Sequence, residues 1–220
     1  MPNFGISSFL KILHLNEKPQ KTEIRKRLNP SDGGGYDFHG SVRRLCAELA
    51  LNNADPRAVI ERLKDIKKAS ERDSARTGLQ AFIKWKNEYP AQFVMANNVI
   101  YNSPKSLFKL TFKPNFSLIT DDKVAAVHIW NTARPALDDH LVRAVLSVFP
   151  ALYTVNKPDD LAVLCLRSKR LIRLGEPDPK IQGLGILLIK KVDKIITDLN
   201  EGGDGKPYDT GDHPTPPFLH

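Results

Sequence analysis

Three sets of residues in this 220-residue chain have the types and spacing from which chemistry is built. The first is "SDGGGYDFHGSVRRL", residues 31–45, where Gly35 and Gly40 reproduce the G-x-x-x-x-G spacing of a phosphate-cradling loop. Such a loop surrounds phosphates with backbone N–H groups, uses a following Lys to reach the outer ones, and succeeds a hydrophobic strand. Here Ser41 follows Gly40 in place of that Lys, and the preceding "RKRLNPSD" is basic and turn-like. A plain connection fits better. Asn29 through the glycines link two helices, Asp37 or Ser41 caps a helix that begins near Val42, and Tyr36 and Phe38 pin the loop to the body.

The second set is carboxylates. Asp121–Asp122, followed by Lys123, and Asp138–Asp139 are pairs that could hold a divalent cation if folding brought them together. Local geometry explains each without chemistry, the first as a turn and the second as a helix start suited to the helix dipole. The third set is His14, His39, His128, His140, His213 and His220 with Cys46 and Cys165. They are scattered, with no H-E-x-x-H and no C-x-x-C, so zinc has little support. There is no G-x-S-x-G elbow, Cys46 reads as core, and His128 reads as a satisfied core or sheet-face histidine.

The elements that must position these residues change character near Pro90. Before it the chain reads as helical. "KPQKTEIRKRLNP" is a short, very basic helix; "SVRRLCAELAL" places Val42, Leu45, Cys46 and Leu49 on one face; and "DPRAVIERLKDIKKAS" has Asp55 as N-cap and Pro56 at the first helical position. "ARTGLQAFIKWKNEYP" carries Leu79, Phe82 and Ile83 and ends before the proline. After it, "LFKLTFKPNFSLI" alternates as a strand interrupted by Pro114, "DDK" turns, and "VAAVHIW" returns as a second strand. "ALDDHLVRAVLSVFPALY" is a helix, "LAVLCLRSKRLIRLGE" a hairpin, and "IQGLGILLIKKVDKIITDL" a last amphipathic helix.

The expected architecture is therefore α+β: a helical N-terminal region, 1–90, packed as one compact unit with a small mixed β-sheet flanked by helices, 91–200. The tail 201–220 reads as disordered because it is rich in Gly, Pro and Asp. Apolar runs such as "LGILLI" fall far short of a membrane span, which needs ~18 apolar residues, so no membrane is expected. The absence of a secretory signal pattern and the sparse cysteines suggest a cytoplasmic protein. The formal net charge is +8, with 41% hydrophobic and 26% charged residues. That balance suits DNA or RNA, whose counterions Lys and Arg displace, and equally suits a basic protein with no polyanionic ligand.

The succession of helix, strand, turn, strand, helix and strand from about residue 75 to 170 resembles the core order of the PD-(D/E)XK, or RecB-like, nuclease superfamily. In that superfamily two carboxylates hold a divalent metal against the scissile phosphate, and a Lys assists. The resemblance implies that "KPNFSL" supplies the first acid, but Asn115 follows Pro114. It implies E-x-K on "VAAVHIW", but His128 and its neighbours stand there. Gln80, on the helix before the strands, is a weaker match to a position some members use. The chain is also similar to a group of bacterial proteins of unassigned activity, through "GGYDF" before "VRRL", "GLQAFIKW" and "VLCLRSKRLI".

Three readings follow. The first is a noncatalytic, degenerate nuclease-like scaffold that touches nucleic-acid phosphates through Arg167, Lys169, Arg170 and Arg173 on the late hairpin with Lys190 and Lys191; such contacts position without reading sequence, although edge cations also protect strands from aggregation. The second is a nuclease with a migrated site at Asp121, Asp122 or Asp139 with Lys123, and only this reading requires Mg²⁺ or Mn²⁺. The third is a protein-interaction or regulatory module whose charge is incidental.

Overall fold

The computed structural model describes residues 1–30, 36–176 and 178–201. The glycine run at 31–35 and the tail from 202 onward lie outside the described residues, so the readings of a flexible connection and a disordered tail do too. The fold is α+β, with seven α-helices and eight strands among the described residues.

A short strand β1 (Asn3–Gly5) opens the chain and passes into α1 (Ile6–Leu13) and the basic α2 (Glu17–Leu28). The layer that follows is α3 (Gly40–Leu51), α4 (Pro56–Glu61) and α5 (Ala69–Glu88). The Asp55 side chain caps α4 by accepting the Arg57 N–H, as Asp-Pro predicts. The helix expected to run on through "RLKDIKKAS" instead tightens into a 3₁₀ turn at Arg62–Asp65 before α5 starts. Of Val59, Ile60, Leu63 and Ile66, whose near-helical spacing predicts one apolar face, Val59, Leu63 and Ile66 are buried but Ile60 is exposed, so the spacing gives neither the whole face nor the helix length.

Strands β2 (Gln92–Val94), β3 (Val99–Asn102), β4 (Lys109–Phe112), β5 (Phe116–Thr120) and β6 (Lys123–Trp130) come next. Then follow α6 (Asp139–Leu146), β7 (Asp160–Cys165), β8 (Arg170–Arg173) and α7 (Pro179–Glu201). They form two sheets. One has order β1-β4-β3; the other has order β2-β5-β6-β7-β8 and is antiparallel except for the pair β6 and β7. Pro114 is where the alternating run "LFKLTFKPNFSLI" divides, because β4 belongs to the smaller sheet and β5 to the larger.

The larger sheet is covered on both faces. Alternate residues of β6 and β7, such as Ala126, Trp130, Leu161 and Val163, enter a core with α1, α2, α6, α7 and the smaller sheet. Their neighbours, Val127, Ile129, Ala162 and Leu164, enter a second core with α3, α4 and α5. Sheets buried on both faces read as continuous apolar runs, as "DLAVLC" does. Gly185 permits the α6–α7 crossing, since a Cβ there would overlap the Ala144 carbonyl oxygen.

Candidate functional site

The N–H of Asn115 donates to the Val127 carbonyl at 2.7 Å, and its Oδ1 accepts the Ile129 N–H at 2.8 Å. The side chain thus extends the ladder between β5 and β6. It sits beside His128 on the β5–β6 ladder. His128 donates from Nδ1 to the Lys113 carbonyl at 2.8 Å and accepts the Ser7 hydroxyl at Nε2, 2.6 Å away. Its exposure is 6%, and burial pushes its pKa down to about 4, so the ring is neutral. Both ring nitrogens are committed and, among the described residues, no carboxylate is hydrogen-bonded to either residue, so this donor set does not fit a divalent cation. Gln80 points outward from α5, exposed.

The other acidic candidates are not brought together. Asp121 and Asp122 are the two residues of the β5–β6 hairpin turn, at φ 48° and 60°, a left-handed pair that matches the sheet twist. Asp139 opens α6 and pairs with Arg170 of β8. The turn and Asp139 lie beyond opposite ends of β6, whose eight residues span about 23 Å at strand rise. Asp139 is therefore held apart from Asp121, Asp122 and Lys123, so the alternative of a migrated site cannot join both acidic pairs. Among the described residues, no group of three or more His, Cys, Asp or Glu is placed to hold a metal ion.

The late hairpin is not one basic face either. Arg167 turns inward, with Nε donating to the Asn131 carbonyl at 3.0 Å and Nη2 to the Ser74 hydroxyl at 2.9 Å. Strand alternation sends Arg170 towards the α6 side and Arg173 to the other, where it meets Tyr89 at 3.0 Å and Asp160 at 3.5 Å. Lys169 is exposed in the turn, while Lys190 and Lys191 are exposed on α7. Sequence periodicity places cations on a hairpin but does not say which of them the fold spends internally.

A polar cluster that the sequence reading did not assemble lies at the carboxyl ends of β6 and β7, under the N-termini of α3 and α5. The buried face of α5 begins with Glu71, Ala75 and Gly78 before becoming Leu79, Phe82 and Trp85. Asn131, directly after β6, is 1% exposed; its Nδ2 donates to the Ser74 carbonyl and hydroxyl, each at 3.3 Å, and reaches His39 Nδ1 at 3.4 Å. A Cβ on Gly78 would overlap Asn131 Oδ1, which has no hydrogen-bond partner among the described residues.

Around this centre Arg43 pairs with Asp37, and the Tyr36 hydroxyl donates to Glu71, a carboxylate 3% exposed. Burial alone would raise the Asp37 carboxyl, but the hydrogen bond and charge of Arg43 outweigh it and leave it low. Burial, then the charge of Arg43, push His39 down to about 4, so it too is neutral. Lys68 Nζ stands 5.3 Å from the Tyr36 ring centroid and 5.6 Å from that of Phe38. Arg43, Lys68 and Arg167 outnumber Asp37 and Glu71 here, and two helix N-termini add positive potential, an arrangement suited to anions. The sequence signal for it was Glu71, Ser74 and Gly78 recurring on a face otherwise apolar.

No family model matches the chain, and no curated protein matches it. A solved structure, the crystal structure of SSO0001, aligns over 80% of this chain and 82% of its own at 10% identity and a TM-score of 0.33, a level that carries no argument.

Proposed function

We propose that this protein is a noncatalytic nucleic-acid-binding protein on a nuclease-like scaffold, engaging phosphates at the carboxyl ends of β6 and β7. The observation that carries the reading is the state of Asn115 and His128. They occupy the positions where the resemblance calls for metal-binding acids, and they spend their polar atoms on the Ile129 N–H, the Lys113 carbonyl and Ser7. With β3 and β4 set aside in the smaller sheet, the order α5, β2, β5, β6, α6, β7, with β6 parallel to β7, supports the scaffold comparison. The exposed Lys68, with the positive potential of the internally bonded Arg43 and Arg167 behind it, supports the ligand class.

Fluorescence anisotropy with labelled 20-mers tests it. Binding by three phosphate contacts weakens by roughly 40-fold for a single strand and roughly 130-fold for a duplex between 50 and 300 mM salt. Lys67→Glu with Lys68→Glu, both exposed at the start of α5, is expected to abolish it. Lys190→Glu with Lys191→Glu, on the opposite layer, is expected to weaken it less. No binding at 50 mM salt overturns the reading, and cleavage by the wild type in Mg²⁺ or Mn²⁺ overturns its noncatalytic half.

A further inference from the structure

Tyr36 carries an inference that rests on the reading above and deepens it. Its side chain is 66% exposed, yet its hydroxyl is anchored to Glu71, which is itself 3% exposed. Sequence alone suggests that Tyr36 pins its loop to the body; it does so through its hydroxyl, while the ring stands in solvent. The phenol, raised in pKa by its bond to Glu71, stays protonated as the donor. Lys68 sits over both Tyr36 and Phe38. The ring is therefore tethered at its tip, flanked by a cation, and adjacent to the Arg43–Asp37 pair and to His39.

We propose that Tyr36 is a stacking platform for an unpaired base, so that the nucleic acid bound at this end is single-stranded, its phosphates held by Lys68 and Arg43. An aromatic face beside positive charge is how sequence-tolerant single-strand binders work, because every base has a π-face and every linkage a charge. A duplex hides its base faces in the stack and offers this ring nothing but phosphate. The two local carboxylates do not oppose this: Asp37 is neutralised by Arg43, and Glu71 is turned away from solvent against the Tyr36 hydroxyl. The anchoring also removes ring mobility before the ligand arrives, which lowers the ordering cost of binding.

The test compares a 12-nucleotide oligothymidylate with a 12-base-pair duplex at 50 mM salt, by anisotropy, using the full chain. The wild type is expected to prefer the single strand by at least tenfold. Tyr36→Ala is expected to lower single-strand affinity by about five- to a hundred-fold, the range that loss of one base–aromatic stack gives, while leaving duplex affinity within twofold. Tyr36→Phe, which keeps the face and loses the Glu71 bond, is expected to retain most of the affinity. Equal affinities for strand and duplex, or a Tyr36→Ala protein that binds the strand as wild type does, overturn the platform while leaving phosphate binding intact. Binding to neither oligonucleotide overturns the phosphate reading itself. Should Tyr36→Ala fail to fold, the wild-type preference and Tyr36→Phe still decide.

Discussion

Acidification should unfasten this fold at His128. The ring lies inside β6, 6% exposed, and its Nε2 must be unprotonated to accept the Ser7 hydroxyl, the bond that ties α1 to the larger sheet. Burial lowers its pKa to about 4 from an ordinary 6.5. The unfolded chain therefore takes up this proton first, so the stability His128 contributes is complete above pH 6.5 and is lost as the pH falls from 6.5 towards 4. With those two values, linkage assigns a loss of roughly 2–3 kcal/mol between pH 7.5 and 4.5 to this one group. His39 shifts in the same direction but is only partly buried, so solvent screening leaves it a smaller share. The assay is urea unfolding of wild type and His128→Gln at several pH values in that range, followed by the fluorescence of buried Trp85 and Trp130. His128→Gln should be the less stable protein at pH 7.5, and the gap should close by roughly 2–3 kcal/mol at pH 4.5, since every other titrating group is common to both. Parallel stability curves would refute the reasoning.

Three further substitutions probe the packing. Gly185→Ala places a methyl against the Ala144 carbonyl oxygen and near Ser147 Oγ, and overpacking of that kind should cost about 1–3 kcal/mol in urea melts, with the α6–α7 contact the part displaced. Asp193, 1% exposed on α7, accepts the Ser103 hydroxyl at 2.7 Å and the Lys105 N–H at 3.1 Å. Asp193→Ala leaves those donors unpaired and should cost about 1–3 kcal/mol, with Lys105 among the amides that lose hydrogen-exchange protection. Replacing Asp121–Asp122 by Asn-Gly, the pair best suited to a left-handed two-residue turn, should leave stability unchanged or raise it by up to about 1 kcal/mol, and a loss of any metal-dependent activity would instead restore these carboxylates to a chemical role.

The fold was legible wherever one local rule decided an element. Asp55 with Pro56 announced a helix start, Pro90 a helix end, and two adjacent aspartates a tight turn, and each stands where those residues place it. What the pattern could not divide was "LFKLTFKPNFSLI", because alternation records that a segment is half-buried and not which sheet it joins. The strands β1, β2 and β3 are three or four residues long and carry too little periodicity to be seen. The polar cluster was illegible for a related reason. Tyr36, Arg43, Glu71, Ser74, Asn131 and Arg167 come from four separate stretches, and only the close approach of α5 to the end of β6, which Gly78 allows, makes them neighbours.

The parallel pairing of β1 with β4 sets a timetable for synthesis. Asn3, Phe4 and Gly5 find their partners only at Lys109, Leu110 and Thr111, so the ribosome must add more than a hundred residues before the first strand has a ladder. At about 5–20 residues per second that is a wait of roughly 5–20 s. During it Ile6, Phe9, Leu10 and Ile12, all buried in the finished fold, have neither β4 nor α6 to cover them. The helical layer of α3 to α5 leaves the ribosome in the meantime, but its own apolar face also awaits β5 to β7. Both cores draw on β6 and β7, so neither is complete until those strands are made, and non-local closure of this kind is slow.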